Sequence, residues 1–177
     1  MSATAASGRE PVSVEAVRAG SQEALAALYR EHGAALYRLA YRLTGEQQDA
    51  EDVVHDVFVG LPEALRRYEE RGSFAGWLKQ VTARVALMWL RRARRRREVG
   101  LERVPDEAQQ TATSEGHALQ AAVNAIPGPL RTVLVLKQIE GYSHSEIADL
   151  LGISPGASRA RLNRAMARLR KLLREET

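Results

Sequence analysis

Seven basic side chains, Arg159, Arg161, Arg164, Arg168, Arg170, Lys171 and Arg174, follow one another with no acid before Glu175. A guanidinium donates in a planar fork that fits phosphate oxygens or the O6 and N7 atoms of guanine. An ordinary solvated helix face interleaves glutamate with arginine, so this run is suited to a polyanion. Position sorts the candidates, because a recognition helix enters a major groove by its N-terminal end. Ser158, Arg159 and Arg161 are placed to reach base edges. Arg164, Arg168 and Lys171 are placed to hold phosphates.

A second basic run, Arg84, Arg91, Arg92, Arg94, Arg95, Arg96 and Arg97, also contains no acid. Arginine runs alone say little, but Tyr68, Phe74, Trp77 and Trp89 lie on or just before this one, and aromatic surface beside arginine can stack unpaired bases. Burial is the expected main task of Phe74 and Trp77. Trp89 and the loop from Tyr68 to Ser73 are the candidates to receive a base. The opposite charge gathers at Asp49, Glu51, Asp52 and Asp56. Asp49, Asp52 and Asp56 share a helix face beside Val53, Val57 and Phe58, a pattern that fits either a docking surface or acids favoured near a helix N-terminus.

The rest of the composition excludes much. The 177 residues hold no cysteine, which removes disulfides, thiolate metal sites and a cysteine nucleophile, and permits the reducing cytoplasm, the expected location. The four histidines are scattered, no glycine-rich phosphate loop occurs, and the longest apolar runs are six residues, far short of the roughly 20 that cross a bilayer. No metal, cofactor, membrane insertion or enzymatic activity is expected.

Helical periodicity must position these clusters, and the fold is read as all-α. Residues 1–11 read as a disordered tail. Residues 12–97 form one helical domain, with a helix from the N-cap Ser21 to Thr44-Gly45, a second from near Asp49 that Pro62 should kink or restart, and a third from Phe74 to Arg97. Residues 98–116, with five acids and one base, read as a flexible acidic linker. Residues 117–177 form a second small domain with a helix-turn-helix. There Ser143 and Glu146 have capping-box spacing, Gly152 stops the first helix, Ser154 caps the next and Pro155 suits its first position. Leu162, Met166, Leu169 and Leu173 are its expected inner side.

Two stretches covering most of residues 20–174 resemble the conserved regions of bacterial sigma factors of the extracytoplasmic-function group. Asp49-Ala-Glu-Asp-Val-Val-His-Asp-Val-Phe58 resembles the segment with which that family binds the clamp of core RNA polymerase, which implies core-binding roles for Asp49, Glu51, Asp52, Val53, Asp56, Val57 and Phe58. Phe74 to Arg84, running on into the arginine tract, resembles the segment that opens and reads the minus-ten promoter element. The resemblance implies minus-ten roles for Tyr68, Ser73, Arg84, Trp89, Arg91, Arg92 and Arg95. Arg84 stands where the family often has an asparagine that helps hold a flipped base, and Met88 where an acid is common. Ile126-Pro-Gly-Pro-Leu-Arg131 through Leu172 resembles the region that binds the minus-thirty-five element, with Ala157 and Ser158 replacing a usual Thr-Val pair. The implied function is a promoter-specificity subunit whose partners are core RNA polymerase and promoter DNA, with an anti-sigma factor as a further possible partner. An autonomous helix-turn-helix regulator is the alternative reading.

Overall fold

Ser21 stands in extended backbone, and its hydroxyl accepts from the Ala24 amide at 3.2 Å, which fixes the start of a long helix. Gly45, at φ 82°, ends that helix in the left-handed conformation that glycine adopts without steric cost. The computed structural model describes residues 14–69, 72–98 and 114–175. Among the described residues every regular element is helical: α1 (Val14–Arg18), α2 (Gln22–Thr44), α3 (Gln47–Leu65), α4 (Phe74–Glu98), α5 (Ser114–Asn124), α6 (Gly128–Leu134), α7 (His144–Leu151) and α8 (Pro155–Glu175). A π-helical stretch, Val135–Ile139, continues α6. No helix among them is long and apolar enough to cross a membrane.

The N-terminal lobe is α1 to α4. Leu28, Leu36, Leu39 and Leu43 of α2 meet Val53, Val57, Leu61 and Leu65 of α3 and Leu78, Ala83 and Ala86 of α4 in a closed apolar interior. Fully burying each leucine or valine contributes about 1.5 to 3 kcal/mol, the main source of the lobe's stability. Three features differ from the sequence expectation. Residues 14–18 form a short helix whose Arg18 donates to the Leu65 and Tyr68 carbonyls at 2.8 and 2.6 Å, closing the C-terminal end of α3. α3 runs through Pro62 to Leu65, because a proline this close to the end removes only one backbone donor from the ladder. α5 begins at Ser114, inside the stretch read as linker, and α4 extends to Glu98. The tail and most of the acidic linker lie outside the described residues.

The C-terminal lobe is α5 to α8. Leu162, Met166, Leu169 and Leu172 of α8 pack towards its interior, where Ala165 is completely buried. Leu172 takes the place expected for Leu173 in this packing. One hydrophobic cluster runs on from this lobe into the N-terminal one, with α5 and α6 packed on α2.

Candidate nucleic-acid and protein interface

The helix-turn-helix is built by local chemistry. Ser143 Oγ accepts from the Glu146 amide at 3.2 Å while the Ser143 amide donates to Glu146 Oε2 at 2.7 Å, a complete capping box. Gly152 ends α7 at φ 65°, and the Ile153 amide returns to the Ala148 carbonyl at 3.1 Å. Ser154 then caps α8 through the Ala157 amide at 3.1 Å, with Pro155 at its first position. Ala148, nearly buried, gives the two helices the close approach they need.

On α8 the guanidinium groups of Arg159, Arg164 and Arg168 and the ammonium of Lys171 are on the exposed side, and Arg161 is half-buried. Ala167, Arg170, Lys171 and Arg174 line a shallow basic concavity farther along. Ser158 does not join this face. It is fully buried, with its Oγ 2.8 Å from His144 Nδ1, so it ties the two helices together and cannot reach a base edge from this position. The reason is the α8 register: three residues before Arg161, Ser158 turns towards α7. His144 sits where burial, and then Lys137 and Arg159, push its pKa below the ordinary histidine value.

Along α4 the expected minus-ten candidates separate. Arg84, Arg92, Arg95 and Met88 are exposed. Arg91 donates to the Leu150 carbonyl of the other lobe at 2.8 Å. Ser73 caps α4, its Oγ accepting from the Gly76 amide at 3.3 Å and its carbonyl from the Trp77 amide. Tyr68 departs from expectation: it is buried against Trp77, at 4.6 Å between ring centroids, and Phe74, at 5.6 Å. The aromatic trio supports the turn into α4, and Tyr68 has no open ring face for a base. Trp89 is half-buried, and its indole N–H donates to Asp56 Oδ2 of α3 at 3.0 Å.

The acidic cluster divides as well. Glu51 and Asp56 are exposed, Asp49 and Asp52 half-exposed, and Val53, Val57 and Phe58 buried. The three apolar residues therefore hold the helix in place; only the edge of Phe58 reaches a groove between α2 and α3. That groove, lined by Tyr29, Tyr37, Glu51, His55, Phe58 and Val59, was not foreseen in the sequence. Tyr29 and Val59 are 54% and 66% exposed, and Tyr29 meets Phe58 edge to face at 5.0 Å. The available signal was Val59, an apolar residue off the buried stripe and beside the acids. Among the described residues no group of three histidines, aspartates or glutamates could hold a metal ion.

Residues 28–96 match the family model described as Sigma-70 region 2, and residues 116–169 the one described as Sigma-70, region 4. The ECF RNA polymerase sigma factor SigE of Mycolicibacterium smegmatis is 34% identical over 158 residues, covering 82% of this chain and 60% of that protein. SigM of Mycobacterium tuberculosis is 31% identical over 156 residues, covering 88% of this chain and 80% of the relative. Among solved structures, CnrH in complex with the cytosolic domain of CnrY is 30% identical, with a TM-score of 0.58 and coverage of 93% of this chain and 96% of the other. The sigma factor RpoE of Bartonella quintana, in complex with the anti-sigma factor NepR, shares the fold at a TM-score of 0.65 and 22% identity, covering 82% of this chain and 94% of its own. A helix-turn-helix with a basic second helix, an arginine-rich helix braced by an acidic one, and these matches in this order agree: the chain belongs to the extracytoplasmic-function sigma factors, the promoter-recognising subunits of bacterial RNA polymerase.

Proposed function

We propose that three surfaces of this chain divide the work of initiation, with no catalytic step of its own and in the cytoplasm. The exposed acids Glu51 and Asp56 and the half-exposed Asp49 and Asp52, with the groove rimmed by Tyr29 and Val59, dock a basic and partly apolar surface of core RNA polymerase. Charge there sets orientation and approach, and the aromatic groove supplies the desolvated contact. Arg84, Trp89 and the exposed arginines of α4 engage the minus-ten element once its strands part. Arg159 and Arg161 read base edges of the minus-thirty-five element, while Arg164, Arg168 and Lys171 hold its phosphates.

The observation that carries this reading is the capped helix-turn-helix whose second helix presents arginines from its N-terminal end while its inner side is apolar. The solved complexes of CnrH with CnrY and of RpoE with NepR support an anti-sigma factor as a further partner. Run-off transcription with core polymerase on genomic fragments tests the proposal. Promoter-dependent transcripts that appear only when this protein is added are expected. Equal transcripts from core enzyme alone would sink it, and tight, sequence-specific duplex binding without polymerase would favour an autonomous regulator.

A further inference from the structure

The 21 residues of α8 include two neutral polar side chains, Ser158 and Asn163. Ser158 is buried against His144. Asn163 is exposed, and its carboxamide meets no partner among the described residues. It lies more than two turns past the start of the helix, too far along to cap it. Asparagine is also among the weaker helix formers, where alanine is the best. Helix stability therefore gives no reason for an amide at this position.

Successive residues of an α-helix turn by about 100°, which puts Ser158, Ala165 and Leu169 on the inner side of α8 and Ala160, Asn163 and Ala167 on the opposite one. Arg159 stands to one side of that outward strip, and Arg164 and Arg168 stand to the other. Alanine stops at Cβ, so a base edge can come close to the helix between the arginines, within reach of a side chain as short as asparagine. Chemistry then narrows what is read. Between Pro155 and Arg174 every other exposed side chain able to hydrogen-bond is arginine or lysine, and these donate but cannot accept. The two acceptors of guanine suit them. Adenine sets the N6 donor beside the N7 acceptor, and only a side chain with an acceptor can take the N6 proton. On this face that side chain is Asn163, whose Oδ1 accepts from N6 while Nδ2 donates to N7. Cytosine would leave Nδ2 unpaired, and thymine would leave Oδ1 unpaired.

We infer that Asn163 selects an adenine in the minus-thirty-five element, which makes it a specificity-determining residue beside the arginines of the same helix. The inference rests on the promoter reading given above. Asn163 stands four residues beyond Arg159, about 6 Å along the helix axis, or about two base pairs at 3.4 Å each. The selected adenine therefore falls within about two base pairs of the position that Arg159 contacts. A good bidentate pair discriminates against the wrong base by about 5- to 150-fold.

A promoter recovered by run-off transcription on genomic fragments supplies the test. Its upstream element is randomised, and polymerase reconstituted with the full-length protein selects from the pool. The wild type should prefer adenine at one position by about 5- to 150-fold. Asn163→Ala, with helical circular dichroism unchanged, should abolish the preference at that position and leave the others. Asn163→Arg should move it to guanine. Replacing the adenine by 7-deazaadenine, which lacks N7, should weaken binding of the wild type and leave Asn163→Ala unaffected. An adenine preference that survives in Asn163→Ala overturns the inference. So does a wild type that prefers adenine nowhere while Arg159→Ala still relaxes a guanine position, and in that case the promoter reading stands. No promoter-dependent transcript, or no sequence preference in the wild type, overturns both.

Discussion

Trp89 and Asp56 are joined by a 3.0 Å hydrogen bond from the indole N–H to the carboxylate, and they lie on different functional helices. Asp56 belongs to the acidic surface assigned to polymerase, and Trp89 to the helix assigned to the minus-ten element. If a partner recruits the carboxylate and releases the indole, docking and strand opening are expected to be coupled through this contact.

The coupling is measurable. Asp56→Asn should weaken core binding and also change permanganate reactivity of unpaired promoter thymines, while Trp89→Phe, which keeps an aromatic face and loses the donor, should affect opening less than Trp89→Ala. A double-mutant cycle of Asp56→Ala with Trp89→Phe, which removes the acceptor and the donor in turn, should return an interaction of about 1 kcal/mol in stability, the net worth of such a bond. If Trp89→Ala and Arg84→Ala both leave opening intact in a folded protein, the minus-ten role of α4 fails.

On α8, the roles of neighbouring arginines should part. Arg159→Ala or Arg161→Ala should reduce discrimination between cognate and altered upstream elements by about 1 to 3 kcal/mol. Arg168→Ala should weaken binding to both sequences about equally and lower the salt slope by roughly one unit. Salt-series binding of the polymerase complex to the two duplexes separates these outcomes, and equal loss from all three variants would return α8 to a nonspecific basic face.

Much of this architecture was legible because local chemistry fixes it. Ser21, Gly45, Ser143, Glu146, Gly152 and Pro155 bound their helices by capping and left-handed turns, which depend on a few adjacent residues. The inner stripe of α3 follows from the spacing of Val53, Val57, Leu61 and Leu65. What escaped depends on partners far along the chain. Nothing near Tyr68 reveals that Phe74 and Trp77 fold back on it, and nothing near Ser158 marks His144, fourteen positions earlier, as its partner. Nothing near Arg131 reveals its partners, the Leu43 and Thr44 carbonyls some 87 positions away. Buried charge is invisible to periodicity, since a helix face announces only its apolar residues.

Acid should loosen the helix-turn-helix in two stages. Burial, reinforced by Lys137 and Arg159, keeps His144 below the ordinary histidine value, so the unfolded chain takes up its proton first as pH falls. That contribution is fully present above about pH 6.5, the unfolded value, and is lost as pH drops through it to the lowered folded value. Glu146 is held below the ordinary glutamate range by the Ser143 amide and hydroxyl, and its contribution is lost only at more acid pH, as its folded value is crossed. Protection factors across α7 and α8, which are corrected for the intrinsic exchange rate at each pH, should therefore fall as pH drops through about 6.5, and His144→Asn should flatten that slope. An unchanged slope in the variant would remove His144 from the account.

Gly45 tests the packing of α6 on the end of α2 from the backbone side. Its φ of 82° costs a non-glycine residue about 1 to 2 kcal/mol, and the added Cβ also meets the Arg131 guanidinium, whose hydrogen bonds leave it nowhere to retreat without losing them. Gly45→Ala should then destabilise by more than the conformational term in the wild-type background, and by that term alone when combined with Arg131→Ala. Chemical denaturation of the four proteins gives the cycle, since contacting residues fail additivity where distant ones do not. Additive losses would mean that the guanidinium does not rest on the end of α2 in solution.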